Sequence, residues 1–367
     1  MSKKKILHCV QLYPPSRGGI ENVCFQLVSD QKKSGEDVAV LCCTKSNNEK
    51  SDDPAVISCK TTFFFARVYF SYEYILKWVT LRKQFEIIHI HCPHPFASAL
   101  LFLFRTKARV VIHWHSDIVR PKFLKKIYYP LQYWMLKRAN KILVTSPNYA
   151  EESKDLAPFR EKIHIVPIGI DPSFLQVEPS TVAQVKKTYP DKIIIFSLGR
   201  HVYYKGYRYL LRAISCLPEK FILLLGGTGP ETEALKSFSE ELGITERVSF
   251  LGEISAQDLG AYYQACDLFC LPSVERAEAF GVVQLEAMSM GKAVVSTNIE
   301  GSGVGWVNKD GVSGLTVLPR DSMALAAALK KLSEEPFEAD QIISYVKNNF
   351  SNNTMMLKVE ECYQSLF

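Results

Sequence analysis

The sequence predicts an α/β protein made of two doubly wound domains, each a parallel sheet covered by helices on both faces. Three observations carry this. The 367 residues exceed what one hydrophobic core usually supports. The strand-like segments are short, near-continuous apolar runs, the pattern of strands buried on both faces. Those runs alternate with helical patterns in two successive series, which implies βαβ units twice over.

In the first series the runs are residues 6–10, 38–43, 87–92, 110–115, 141–145 and 163–167, with helical patterns at 20–34 and 121–139 among them. The second series has runs at 193–198, 221–226, 248–251, 268–271 and 293–297, and a weaker one at 315–317. Helices fit its residues 207–217, 231–242, 256–265, 280–290 and 322–334. Pro172, Glu178, Pro179 and Ser180 break both periodicities, so the boundary falls within 169–191. The domains are therefore expected at 1–171 and 172–367, with a helix near 355–366 that is a candidate to pack back on the first. Ligands of such sheets bind at the carboxyl ends of the strands, so a cleft between the two domains is the expected site.

The net charge of +6 is unevenly spread: 26 Lys and Arg face 15 Asp and Glu through Asp171, and 18 face 23 beyond it. A basic first half suits an anionic partner. The ten Cys show no CxxC pair or metal spacing and read as reduced core thiols. The apolar stretch 6–10 is too short for a signal-peptide core, and 99–104 is too short to span a bilayer. The expectation is a cytoplasmic protein, neither secreted nor integral to a membrane.

Chemistry concentrates at a few strand ends. Glu278 and Glu286 stand eight residues apart across an expected turn and helix beginning near Phe280, with Gly281 at its mouth. Free N–H groups there would cradle a phosphate, and a carboxylate on either side would suit sugar and ribose hydroxyls. Two surface glutamates on a solvated helix are the plain alternative. Arg200 and Lys205 follow the first strand of the second domain, where two cations could hold a diphosphate and stabilise it as it leaves. The run from Gly226 to Glu231 lacks GxGxxG spacing and reads as a tight turn, with Pro230 opening a helix. In the first domain, Gly18-Gly19 opens a helix, either as a plain βα turn or as a close approach to ligand. His113 and His115 share one face of a strand, but no third ligand has clear spacing, so no metal is expected and His115 is the functional candidate. Basic and aromatic residues mix at 62–83 and 118–141, which favours an anionic membrane surface over nucleic acid or a plain aromatic core.

Together these residues resemble the retaining glycosyltransferases of family 4, whose fold is GT-B: two Rossmann-like domains facing a central cleft. The likeness covers almost the whole chain. Glu278-x7-Glu286 and Gly199-Arg200 with Lys205-Gly206 are its most specific parts. The resemblance implies that Glu286 binds the donor ribose and that Glu278 orients the donor sugar. It implies that Arg200 and Lys205 hold the diphosphate and that the backbone from Phe280 through Gly281 and Val282 to Val283 completes its cradle. Gly18 and Gly19 would let the first domain close on that phosphate, and His115 would touch the sugar near the reacting carbon. No Asp-x-Asp occurs in the chain, so no metal and no cofactor are expected beyond the sugar nucleotide itself.

The segments 273–281 and 301–308 look like a bacterial subgroup that builds O-antigen and exopolysaccharide repeats, in which GDP-mannose is a frequent donor. The expected activity is hexosyl transfer to a polyprenyl-diphosphate-linked oligosaccharide, by a protein peripheral on the inner face of the cytoplasmic membrane and without nucleic-acid partners. A UDP-sugar-dependent transferase of the same fold is the alternative within enzymes. From another class, a catalytically silent nucleotide-binding scaffold is set against the intact charged residues.

Overall fold

A computed structural model describes residues 3–16, 18–46, 50–118 and 122–367. The chain divides into two compact units, one of residues 1–169 with 352–367, the other of residues 170–351.

The first unit runs β1 (Lys5–Cys9), α1 (Gly19–Lys33), β2 (Asp37–Thr44), β3 (Val56–Lys60), β4 (Phe63–Phe65), β5 (Val68–Phe70), α2 (Tyr72–Leu81), β6 (Ile87–Cys92), α3 (Pro95–Leu103), β7 (Arg109–Trp114), α4 (Lys122–Arg138), β8 (Lys141–Val144), α5 (Pro147–Glu152) and β9 (Ile163–Ile165). Seven parallel strands form its sheet in the order β3-β2-β1-β6-β7-β8-β9. β6 is buried at every position, as the apolar run anticipates.

The second unit runs α6 (Pro179–Thr188), β10 (Ile193–Leu198), α7 (Tyr207–Cys216), β11 (Phe221–Gly226), α8 (Thr232–Glu241), β12 (Val248–Gly252), α9 (Ala256–Ala265), β13 (Leu268–Leu271), α10 (Val282–Ser289), β14 (Ala293–Thr297), α11 (Val304–Val307), β15 (Gly314–Val317), α12 (Ser322–Glu334) and α13 (Ala339–Phe350). Its six parallel strands are ordered β12-β11-β10-β13-β14-β15. The final helix α14 (Asn352–Gln364) returns to the first unit, where Met355, Val359, Cys362 and Tyr363 are buried and α14 packs on α1. In each sheet the strand order reverses once, between β1 and β6 and between β10 and β13. Such switch points open a crevice at the strands' carboxyl ends.

Several elements depart from the sequence reading. β3 was absent from it, because Ser58 and Lys60 interrupt the apolar run of an edge strand. The boundary segment is not irregular throughout: Pro179 occupies the first turn of α6, and Glu178 caps it by accepting from Ser180 N–H at 3.3 Å. Pro230 lies ahead of α8, which begins at Thr232. All ten cysteines are free, nine of them buried and Cys216 exposed. No helix among the described residues is long and apolar enough to cross a membrane.

Candidate active site

The cluster in the second unit is built where β10 and β13 end side by side. After β10 the chain passes Arg200 and makes a 3-10 turn, Tyr203–Lys205, into α7. Gly206 joins turn to helix at φ 71°, and a Cβ there would lie 2.0 Å from the Pro272 carbonyl oxygen, so only glycine fits. Val274 N–H donates to the Tyr204 carbonyl at 2.7 Å and ties the turn to the segment after β13. This close approach brings the Lys205 ammonium 2.6 Å from the Glu278 carboxylate, with both side chains nearly buried. Ser273 Oγ donates to the same carboxylate at 3.0 Å. Burial alone would lower the Lys205 pKa, but Glu278 and the Tyr207 and Tyr204 hydroxyls outweigh it and hold the ammonium charged.

Glu278 is not on the helix. Gly281, at φ 75°, caps α10, which starts at Val282, two residues later than the expected start near Phe280. Glu278 instead belongs to a loop held by Ser302 Oγ, which donates to its carbonyl, and by Gly303 N–H, which donates to the Ala279 carbonyl at 2.8 Å. Glu286 is the residue carried by α10. Its carboxylate accepts from Tyr263 Oη at 2.6 Å, and burial raises its pKa against the pull of that hydrogen bond and of Lys205.

The first turn of α10 leaves the N–H groups of Val282 and Val283 without intrahelical acceptors, and both residues are part-exposed. Phe280 is core: its ring packs near Trp306 and Phe350, so only its backbone is free to meet a ligand. Exposed Arg200 lines a pocket with Gly227, Thr228, Gly229, Pro230 and Glu253. Cation, carboxylates and unpaired amides thus gather at one strand-order reversal, an arrangement suited to an anionic, hydroxyl-rich ligand.

The remaining candidates lie in the first unit. Gly18 caps α1, and a Cβ on Gly19 would meet nothing within 4 Å, so the helix mouth is open at that point. His115 follows β7, its N–H donating to the Cys92 carbonyl at 3.1 Å, and its ring is buried. The adjoining loop is pinned by Asp117, which accepts from Trp114 Nε1 at 2.9 Å and from Ser153 Oγ at 3.0 Å.

His115 is not isolated. His8, His89, His91 and His113 are fully buried on the same face of the sheet, close enough that two sets of three, His8-His89-His91 and His91-His113-His115, could in principle share an ion. The fold thus brings a third imidazole beside His113 and His115, which spacing along the chain did not show. The cause is register: His8 is paired with His89, and His91 with His113, across neighbouring strands. The signal available in the sequence was a second HxH, His89 and His91, in the run before His113.

The basic and aromatic stretches divide between core and surface. Tyr74 and Trp78 are completely buried, which removes them from any membrane face. Phe63, Phe64, Phe65, Tyr72 and Phe123 are more than half exposed, and Tyr129 and Tyr133 are exposed as well. Val119, Arg120 and Pro121 of the second stretch lie outside the described residues.

Two doubly wound units, with a charged site at the switch point of the second, are the architecture of the GT-B glycosyltransferases. The solved structures bear this out. Anabaena HepE in complex with UDP superposes with a TM-score of 0.77 over 98% of this chain and 100% of that one, at 20% identity. A glycosyltransferase from Rickettsia africae ESF-5 gives 0.79 over 100% and 99%, at 22% identity. Residues 17–174 match the model for Glycosyltransferase Family 4, and residues 180–349 the model for glycosyl transferases group 1. The chain is 33% identical to O-antigen chain mannosyltransferase C of Escherichia coli, over 89% of this chain and 88% of that protein. It is 30% identical to the D-rhamnosyltransferase WbpZ of Pseudomonas aeruginosa, over 92% and 89%. This chain belongs to glycosyltransferase family 4 and is a glycosyltransferase.

Proposed function

We propose that the enzyme transfers mannose from GDP-mannose, with retention of configuration, to a polyprenyl-diphosphate-linked oligosaccharide in O-antigen or exopolysaccharide synthesis. The observation that carries this is the Lys205–Glu278 pair at 2.6 Å, set beside the open first turn of α10. The mannosyltransferase relative supports the choice of sugar.

In this reading Arg200, Lys205 and the N–H groups of Val282 and Val283 bind the diphosphate, and Glu286 binds the ribose. Glu278 accepts from the sugar hydroxyls, and Ser273 and Lys205 fix its direction. Gly18 and Gly19 give the substrate close access to backbone, and His115 hydrogen-bonds the sugar near C1. The bond from C1 to the β-phosphate oxygen breaks as the acceptor oxygen attacks C1 from the same face, and the departing phosphate takes the acceptor's proton. Fixed cations and the helix dipole stabilise that phosphate, so no metal or other cofactor is required.

In this reading the enzyme works peripherally at the cytoplasmic face of an anionic membrane, where a lipid-linked acceptor resides, and the exposed aromatic residues of the first unit support it. The test is incubation with GDP-mannose and a polyprenyl-diphosphate oligosaccharide, with NMR of the product. An α-mannoside is expected. A β-mannoside, or transfer from UDP-sugars only, would contradict the proposal.

A further inference from the structure

Three buried histidines of the first unit, His8, His91 and His115, are joined end to end. Gln31 of α1 lies 2.8 Å from His8 Nε2 through its Oε1. His8 Nδ1 is 3.0 Å from His91 Nε2, and His91 Nδ1 is 3.1 Å from His115 Nε2. On the other side of Gln31, its amide nitrogen donates to Tyr363 Oη of α14 at 3.4 Å, and that hydroxyl meets His89 Nδ1.

A neutral imidazole carries one N–H and one lone pair, so hydrogen bonds along such a chain must all run in the same direction. Burial keeps these rings neutral, pushing His8 down to about 4 and His115 to about 3, with His91 also well below its ordinary value. An amide oxygen only accepts. His8 therefore donates from Nε2 to Gln31 and accepts at Nδ1 from His91 Nε2–H. His91 in turn accepts at Nδ1 from His115 Nε2–H. The proton on His115 is thus committed to the protein, and its Nδ1, which has no partner among the described residues, keeps a lone pair.

We infer that Gln31, His8 and His91 form a directional relay that locks His115 in the Nε2–H tautomer, so that it meets substrate as a hydrogen-bond acceptor for a sugar hydroxyl and not as a donor to phosphate. The inference rests on the reading that His115 contacts substrate. Gln31, His8 and His91 are positioning residues, since none of them need touch the ligand.

A shared metal ion fits the same cluster less well. Imidazole lone pairs lie in the ring plane, yet His113 and His115 stack with centroids 4.2 Å apart and planes 20° apart, and His89 stacks on His91 at 4.7 Å and 14°. An ion in the plane of one ring lies off the plane of its neighbour. The lone pair of His91 Nδ1 is also already engaged by His115.

The test is long-range 1H–15N correlation NMR on the full-length protein labelled with 15N-histidine, with His115 assigned from a His115→Gln sample. His8, His91 and His115 should all appear as neutral Nε2–H tautomers. His115 appearing as Nδ1–H or as imidazolium would overturn the inference. So would movement of the His91, His113 and His115 resonances on adding one equivalent of Zn2+, in favour of an ion site. Gln31→Met removes the terminal acceptor and should lower kcat at least tenfold with the affinity for GDP unchanged. Gln31→Glu keeps an acceptor-only oxygen and should recover most of that loss. Equal activity in both folded variants and the parent would also overturn the inference. The tautomer is read without substrate, so an Nε2–H His115 in a protein that fails to use GDP-mannose would count against the proposed donor and not against the relay.

Discussion

At the residue scale, the site depends on side chains whose positions follow from two glycines. Glu278→Ala leaves Lys205 without its buried partner and removes the acceptor proposed for the sugar hydroxyls. Lys205→Ala removes the cation proposed to bind phosphate and takes the Glu278 carboxylate's partner away. Each should cut kcat by two to three orders of magnitude, roughly the cost of losing one preorganised charge contact in a transition state. Circular dichroism should show both variants folded, and near-parent turnover in either would contradict the assignment. Gly206→Ala adds a Cβ at φ 71° against the Pro272 carbonyl. It should destabilise by about 1–3 kcal/mol or more in urea unfolding, and turnover should fall as Lys205 is displaced from Glu278. Glu278, Glu286, Arg200 and Lys205 were legible because motif and strand end coincide. The start of α10 was misread by two residues because residue spacing does not reveal that Gly281 takes up a left-handed conformation. The support from Tyr263 and Ser273 was not legible, because it comes from contacts between separate elements.

At the scale of elements, strands with near-continuous apolar runs, such as β6, β10, β11, β13 and β14, could be read from sequence to the residue. The β4–β5 hairpin could not. Its two-residue turn uses Ala66 and Arg67, both at positive φ, where the usual Asn-Gly signal is missing. α2 was hidden because its aromatic residues read as an interface; Ser71 caps it, accepting from Tyr74 N–H at 3.2 Å, and Tyr74 and Trp78 point to the core. The hairpin presents Phe63, Phe64 and Phe65, each more than half exposed, on an otherwise basic domain. Replacing all three by Ser should weaken binding to phosphatidylglycerol-containing vesicles at least tenfold in sedimentation assays, since burying one Phe is worth about 1.5–3 kcal/mol. Unchanged binding would contradict a membrane contact at this hairpin. These side chains are already solvated, so the melting temperature should move little.

At the scale of the whole molecule, the two units differ most in their histidines. Seven of the eight lie in the first unit, and six of those are fully or nearly buried. His94 is pushed down to about 3 by burial, as is His115, and His8 to about 4; His89, His91 and His113 are lowered by burial and by neighbouring histidines. The unfolded chain takes up these protons near pH 6.5 while the folded unit does not. Stability of the first unit is therefore full above about pH 6.5 and is lost as pH falls toward 4. Hydrogen exchange read by mass spectrometry should show the first unit losing protection at pH 5 while the second, with only His201, retains it. Equal loss in both would contradict the buried neutral cluster. The two-unit architecture was visible in the repeated strand–helix alternation. The histidine cluster was not, because it depends on register between strands far apart in sequence.

The central claim is that the Lys205–Glu278 site takes a guanosine diphosphate sugar. The most direct test is thermal melting of the parent and of Lys205→Ala with GDP, UDP and ADP at equal millimolar concentration. A ligand at about 100 times its dissociation constant stabilises by about 2.7 kcal/mol, which shifts the midpoint by several degrees. The account predicts such a shift with GDP alone, lost in Lys205→Ala. A shift with UDP alone, or a GDP shift that survives the substitution, would contradict it.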